Sequence, residues 1–390
     1  MIVGGRFAAP RPPEGIVGPA GEIPWLGASL AARQAAAFAE AGLPLVAGPI
    51  GPSLGAVLVR EDAAVTADAL KALADAGRAA GQDRRFSLGG RSGALATLLA
   101  LGRDEPLAVY LHGDGPWDLE RIRAAPAVEI DPKERLFPPP EPVMDTLAVT
   151  DRLVLPMGHW AQALWANLLG LGPFLWRGLL GRHPAVALGR IAWAALRAGS
   201  LNPARIAGKV VRRGRGCRVH PAAVVEACWL GDNVQVGAGA VVRGAVLGDG
   251  AVVEEQALVA FSTLSPGARV QRQALVKYSL LAEGAVVAGT MQLGVIDRGS
   301  VVKYGAILMD LAMGRPVTVL VGDARLPAPL GMLGVCVGAR TTVATGVYVA
   351  PGRALPPDLQ ILPDPDAVLR RVEVGLTGAV VVRGGRMERA

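Results

Sequence analysis

Few side chains in this chain are suited to chemistry, and they are unevenly spread. The run EPLAVYLHGD (105–114) is apolar until it closes on His112, Gly113 and Asp114. A strand ending there would put an imidazole and a carboxylate at its carboxyl end, where layered α/β sheets usually hold ligands. The other histidines are His159, His183 and His220, so none lies in the last 170 residues. Cys217, Cys228 and Cys336 form an odd set without a CxxC, which predicts neither a zinc site nor a disulfide framework. One basic cluster, KVVRRGRGCR (209–218), could meet phosphate, nucleic acid or an anionic membrane surface. No aromatic platform accompanies it, so a nucleic-acid partner is not expected and a solvated entry to the following segment is the simpler reading.

The elements that must carry these residues fall into two halves. In residues 1–150, GASLAARQAAAFAEAGLPLV (27–46) reads as a helix feeding a strand. GAVLVRED (55–62) reads as a strand, TADALKALADAGRAAG (66–81) and SGALATLLALG (92–102) as helices, and EPLAVYLHGD as a strand. That alternation predicts an α/β, Rossmann-like domain with a mainly parallel sheet.

From about residue 206 the chain counts in seventeens. Val225, Val242, Val259 and Val276 form one column; Leu230, Leu247, Leu264 and Leu281 a second; Val219, Val236, Val253, Val270 and Val287 a third. Each unit divides as six, six and five, as in VRGAVLGDGAVVEEQAL (242–258). Apolar residues at such spacing do not share one face of a helix, but three short strands per coil turn each column inward. The predicted fold is therefore a parallel β-helix over 206–390, with 17-residue coils, one tightened corner, an insertion at about 309–331 and a C-terminal cap. The pattern resembles the hexapeptide-repeat, left-handed β-helix family, and the resemblance implies a homo-oligomer, a trimer in particular. Many such proteins are acyltransferases with a histidine base. With no histidine beyond the first coil, that mechanism is disfavoured here, and His220 reads as structural.

The front half resembles the sugar-phosphate nucleotidyltransferases, which often carry hexapeptide β-helices. The resemblance rests on Gly4, Gly5 and Arg6, on GASLAARQ from Gly27, on GGRSGALATLLAL (89–101) and on LAVYLHGD. It implies that NTP and a sugar 1-phosphate give NDP-sugar and pyrophosphate. In those roles Gly4 and Gly5 would border the nucleotide and Arg6 would be catalytic, steadying its phosphates. Gly89, Gly90 and Gly93 would face the base, and Asp114 would hold Mg2+. The family's loop lysine is missing, since no Lys precedes Lys71, and only Asp145 and Asp151 are placed to be the second metal ligand. A non-catalytic oligomeric scaffold or nucleotide-binding regulator is thus the alternative, with a hexapeptide acyltransferase third.

Between the halves, LVLPMGHWAQALWANLLGLGPFLW (153–176) has no charged residue. Pro156 and Pro173 bracket its helix, and His159, Gln162 and Asn167 would be costly in lipid. A helical linker over 151–205 with its tryptophans in an interdomain interface competes with a peripheral membrane contact through 153–197 and with a true span. The whole chain, 51% hydrophobic and 19% charged with net charge +7, suits a folded, core-rich protein. MIVGGRFAAPRPPEG lacks the layout of a signal peptide, so a cytoplasmic location is the expectation, with membrane association as the alternative.

Overall fold

The computed structural model describes residues 2–9, 14–16, 18–47, 55–88, 106–113, 115–131, 135–137, 147–149, 151–328, 331–369, 371–373 and 377–389. Gly89, Gly90, Gly93, Asp114, Asp145 and the helix expected over 92–102 lie outside them.

The front half is built from β1 (Ile2–Phe7), α1 (Leu30–Ala41), β2 (Gly55–Arg60), β3 (Ala63–Val65), α2 (Ala67–Ala80), β4 (Arg84–Leu88), β5 (Ala108–His112), α3 (Leu119–Ala124) and β6 (Ala127–Ile130). α1 starts where Ser29 accepts the Ala32 amide and stops at Gly42, whose φ of 73° the helix cannot continue. Five strands form one sheet in the order β1-β2-β5-β4-β6. The expectation of a mainly parallel sheet is corrected: β5 runs antiparallel to both β2 and β4, and only β1/β2 and β4/β6 are parallel. β4, RRFSL, was not foreseen, because it opens on two arginines and has no continuous apolar run. Inserting it between α2 and β5 reverses the direction of β5.

The rear half is a three-sided parallel β-helix of the hexapeptide-repeat kind, with two sheets of eight strands and one of seven. The three sequence columns are its interior: Val225 pairs with Val242, Leu230 with Leu247 and Val219 with Val236, and these side chains share one core cluster. The tightened corner lies between the Val225 and Leu230 columns. Ala227, Gly244, Phe261, Tyr278 and Leu293 stand there at φ between 48° and 53°. Left-handed backbone is costly for a side-chain-bearing residue. It persists because each coil holds the next: the amides of Gly244, Phe261, Tyr278 and Leu293 donate to carbonyls one coil earlier. The insertion is a hairpin, Thr318–Val321 with Ala324–Pro327.

The halves are joined by β7 (Val154–Pro156), which pairs with β3, and by α4 (Trp160–Leu175). Trp160, Leu164, Trp165 and Leu169 of α4 share a core with Trp25 and Leu26, with the insertion's Val317 and Val319, and with the outward side chains Val246, Leu280, Val295 and Cys336 of one β-helix face. Asn167 ties α4 to the front, accepting the Leu26 amide at 2.8 Å and donating to the Pro24 carbonyl at 3.1 Å. His159 ties it to the insertion (Nε2 to the Leu320 carbonyl, 3.1 Å). Trp160 and Trp165 are therefore buried within the protein, whereas Trp176 at the end of the segment is exposed, and no helix among the described residues is long and apolar enough to cross a membrane. α5 (Pro184–Ala198) and α6 (Pro203–Ala207) follow and lead into the first coil.

Candidate functional site

Among the described residues, three places that concentrate polar side chains bear on function. The first is the front sheet. Gly4 and Gly5 lie inside β1, where an added Cβ would come within 2.4 Å of Phe38 and 2.5 Å of Trp117. Their glycine character is thus accounted for by packing. Arg6 donates to the Ala31 carbonyl at 2.7 Å. The register separates it from His112: Arg6 is level with Val59 and Ala108, whereas His112 is level with Gly55 and Ile2. Four residues of strand, about 13 Å, lie between these levels.

At the His112 end, Asp83 accepts two bonds from Arg121 (2.8 and 2.9 Å) and one from the His112 amide (2.7 Å). Partial burial pushes the Asp83 carboxyl up, but the Arg121 and His112 bonds outweigh it and hold the group below its ordinary value. A depressed carboxyl adds stability above the unfolded-state pKa of about 3.9, which is lost as pH falls through the folded value. Asp83→Asn is expected to cost about 1–2 kcal/mol at pH 7 in denaturant unfolding, with the gap closing in acid, as pH falls through the lowered folded-state value of the carboxyl. An equal gap at neutral pH and in acid would show that the carboxylate charge is not what holds this corner.

The second place is a cleft of about 440 Å³ between the front half, α4 and the β-helix, lined by Trp25, Phe174 and Trp229 with a charged rim. Its cations are engaged. Arg177 pairs with Asp68 and Asp151, and Arg182 with Glu40. Arg33 donates to the Trp25 and Leu26 carbonyls and lies 4.4 Å from the Phe174 ring centre; burial lowers its pKa to about 10. The cleft reads as interdomain glue.

The third place is a groove of about 750 Å³ on one corner of the β-helix, lined by Arg218, His220, Gln235, Gly237, Ala238, Glu254, Glu255, Arg269 and Arg272. Successive coils stack at this corner, so His220, Gly237 and Glu254 occupy one column at intervals of seventeen. Gly237 leaves the notch between the other two. A Cβ there would come within 2.7 Å of the Glu255 amide nitrogen, so the coil backbones can stack closely only over a bare position. Glu254 accepts from Arg269 (3.1 Å) and from the Arg272 amide, and Glu255 from the Arg272 side chain (3.3 Å). The Glu255 carboxyl is held below its ordinary value, first by a backbone bond and then by Arg272. Arg218 makes no ion pair among the described residues.

The histidines differ in what they leave free. His159 accepts the Ala161 amide on Nδ1 (3.1 Å) and meets the Leu320 carbonyl on Nε2, so both nitrogens are used. His112 Nδ1 lies 3.4 Å from the Tyr110 hydroxyl. His183 stands at the start of α5. His220 accepts the Ala222 amide on Nδ1 at 3.1 Å, which assigns the proton of the neutral ring to Nε2, the nitrogen left for the groove. The sequence reading passed over this groove, although offsets of seventeen and thirty-four place His220 beside Gly237 and Glu254.

Among known proteins, no family model and no curated sequence matches the chain. Similar solved structures include the acetyltransferase domain of PglB from Neisseria gonorrhoeae (23% identity, 37% of this chain and 65% of that one, TM-score 0.21). A mutant perosamine N-acetyltransferase from Caulobacter crescentus with CoA and GDP-perosamine matches at 14% identity, over 71% of this chain and 92% of that one, with TM-score 0.19. The Francisella novicida UDP-N-acetylglucosamine acyltransferase matches at 10% identity, over 35% and 56%, with TM-score 0.15. The chain spans less than two thirds of the first and third of these.

The nucleotidyltransferase reading and its Mg2+ are corrected. The solved structures named above are acetyl- and acyltransferases. Among the described residues no three His, Cys, Asp or Glu side chains are grouped to hold an ion. The sheet gives a physical reason for the described part: the reversal of β5 puts Arg6 and His112 at different levels, so these two residues do not meet.

Proposed function

We propose that the corner groove holds a phosphate-bearing acyl thioester of the coenzyme A type, and that the protein transfers the acyl group to an amine or hydroxyl. The observation carrying this reading is the fixed tautomer of His220 in a groove with arginines on its walls and carboxylates across the Gly237 notch. The backbone bond to Nδ1 leaves Nε2–H a donor, so the ring is not a base. Its part is to meet the oxygen that becomes negative when the acceptor adds to the thioester carbonyl. Arg218 suits phosphate, and Glu254 and Glu255 suit hydrogen bonds from the acceptor's neutral amine or hydroxyl. With an amine acceptor, the C–N bond forms, the C–S bond breaks, and the leaving thiolate takes up the proton released by nitrogen. A thioester is already activated, so this route needs no stronger base than the amine itself. The test is thiol release from acetyl-CoA with a panel of amines and nucleotide-linked amino sugars, alongside calorimetric CoA binding. Neither release nor binding with any partner would end this reading.

A homo-oligomer accompanies this reading. Val224, Val241, Leu258 and Leu275 form an outward stripe down another β-helix face, half-buried to exposed, which Ile307 and Tyr348 continue beyond Thr290. A second copy of that stripe would cover it, and a closed ring of three suits a three-sided solenoid. Leu258→Glu is expected to reduce the mass in light scattering to that of a monomer. An unchanged mass would discard this face as the contact.

A further inference from the structure

α5 presents an unusual surface. The residues it buries are small, Ala187 and Ala194, while Leu188, Trp193 and Leu196 stand 69%, 62% and 71% exposed. At 100° per residue, Ala185, Val186, Leu188, Gly189, Ala192, Trp193 and Leu196 share an arc of about 160° with no charge in it. Leu201, just beyond the helix, is 88% exposed. Arg190 and Arg197 stand at one border of the arc, and Arg205 and Lys209 follow in and after α6, all four exposed. No Asp or Glu occurs between Asp151 and Glu226. The front-half carboxylates that pair with Arg177 and Arg182 do not pair with these four among the described residues.

We propose that α5 and α6 dock the protein on an anionic lipid bilayer, with Leu188, Trp193, Leu196 and Leu201 entering the headgroup–acyl boundary and the flanking cations meeting the headgroups. A bulky apolar arc with cations along one border and no carboxylate beside it in the sequence matches such a surface on both counts, and requires no shape complementarity from the partner. The helix lies on the membrane and does not cross it. The proposal concerns the opposite chemistry to the tryptophans of α4, which are buried, and stands independently of the groove.

The test is co-sedimentation of the full chain with phosphatidylcholine vesicles, with and without phosphatidylglycerol. Binding is expected with the anionic vesicles, falling as salt is raised. Leu188→Ser, Trp193→Ser and Leu196→Ser together should abolish it without moving the thermal unfolding midpoint, since all three side chains are exposed. Arg190→Gln with Arg197→Gln should weaken partitioning about thirtyfold. No binding to either vesicle, or equal binding to both, overturns the proposal. A fall in solution mass on the triple substitution, without vesicle binding, overturns it in favour of a second copy on this face.

Discussion

His220→Ala is expected to lower the acyl-transfer rate about 10²–10³-fold, the usual cost of removing one donor to a developing oxyanion. His220 lines the groove at the mouth of the first coil, and its Nδ1 is bound to the Ala222 amide. The loss should fall on kcat with little change in CoA affinity, because the interaction strengthens as charge develops. His220→Gln separates this role from that of a base. A glutamine amide donates a hydrogen bond but accepts no proton at neutral pH, so partial recovery over alanine is expected. Recovery absent from the glutamine variant, with a rate that rises through the imidazole pKa range, would assign His220 to proton transfer and overturn the donor role. Unchanged turnover in both variants would remove the groove from the chemistry altogether.

Trp165→Ala should be the most damaging single change to stability, at about 3–5 kcal/mol in denaturant unfolding. Trp165 is 1% exposed in the middle of α4, in a core made jointly by the front half, the insertion and one β-helix face. A cavity there is bordered by three packed layers, each anchored elsewhere, so none is free to collapse into it. Its indole nitrogen has no hydrogen-bond partner among the described residues. Trp165→Phe therefore removes some volume and also an unpaired buried donor, two effects of opposite sign, and its loss should be well below that of alanine. Because α4 is shared, the alanine variant should also separate the unfolding of the two halves. A loss under 1 kcal/mol would mean that α4 is not what couples them.

The rear half was legible because its signal is periodic. A coil of three strands repeats one local problem, and every repeat must answer with an aliphatic side chain at the same offset; Val225, Leu230 and Val219 were sufficient to name the columns. Even the tight corner showed, as the one interval of five in each seventeen. The front half lacked such redundancy. α1 and α2 were readable in the sequence, but α3 was not named, and strand direction leaves no periodic mark in the residues. RRFSL, a strand with arginines at its head, escaped notice and reversed the sheet that follows.

The site was hidden for a related reason. His220, Gly237 and Glu254 look unrelated in a linear reading, since no property of any one of them announces a groove. What the amino-acid order determined alone is the solenoid, its period and its inward columns, together with a charge-free helix between the halves. What only the tertiary structure decided is which outward side chains meet. α4 took one β-helix face, leaving another to carry the groove, and the small residues of α5 turned its large ones to solvent. Burial selects inward positions by hydrophobicity, which composition records. The pairing of outward positions depends on which surfaces the rest of the chain covers, and that is known only when the chain has closed on itself.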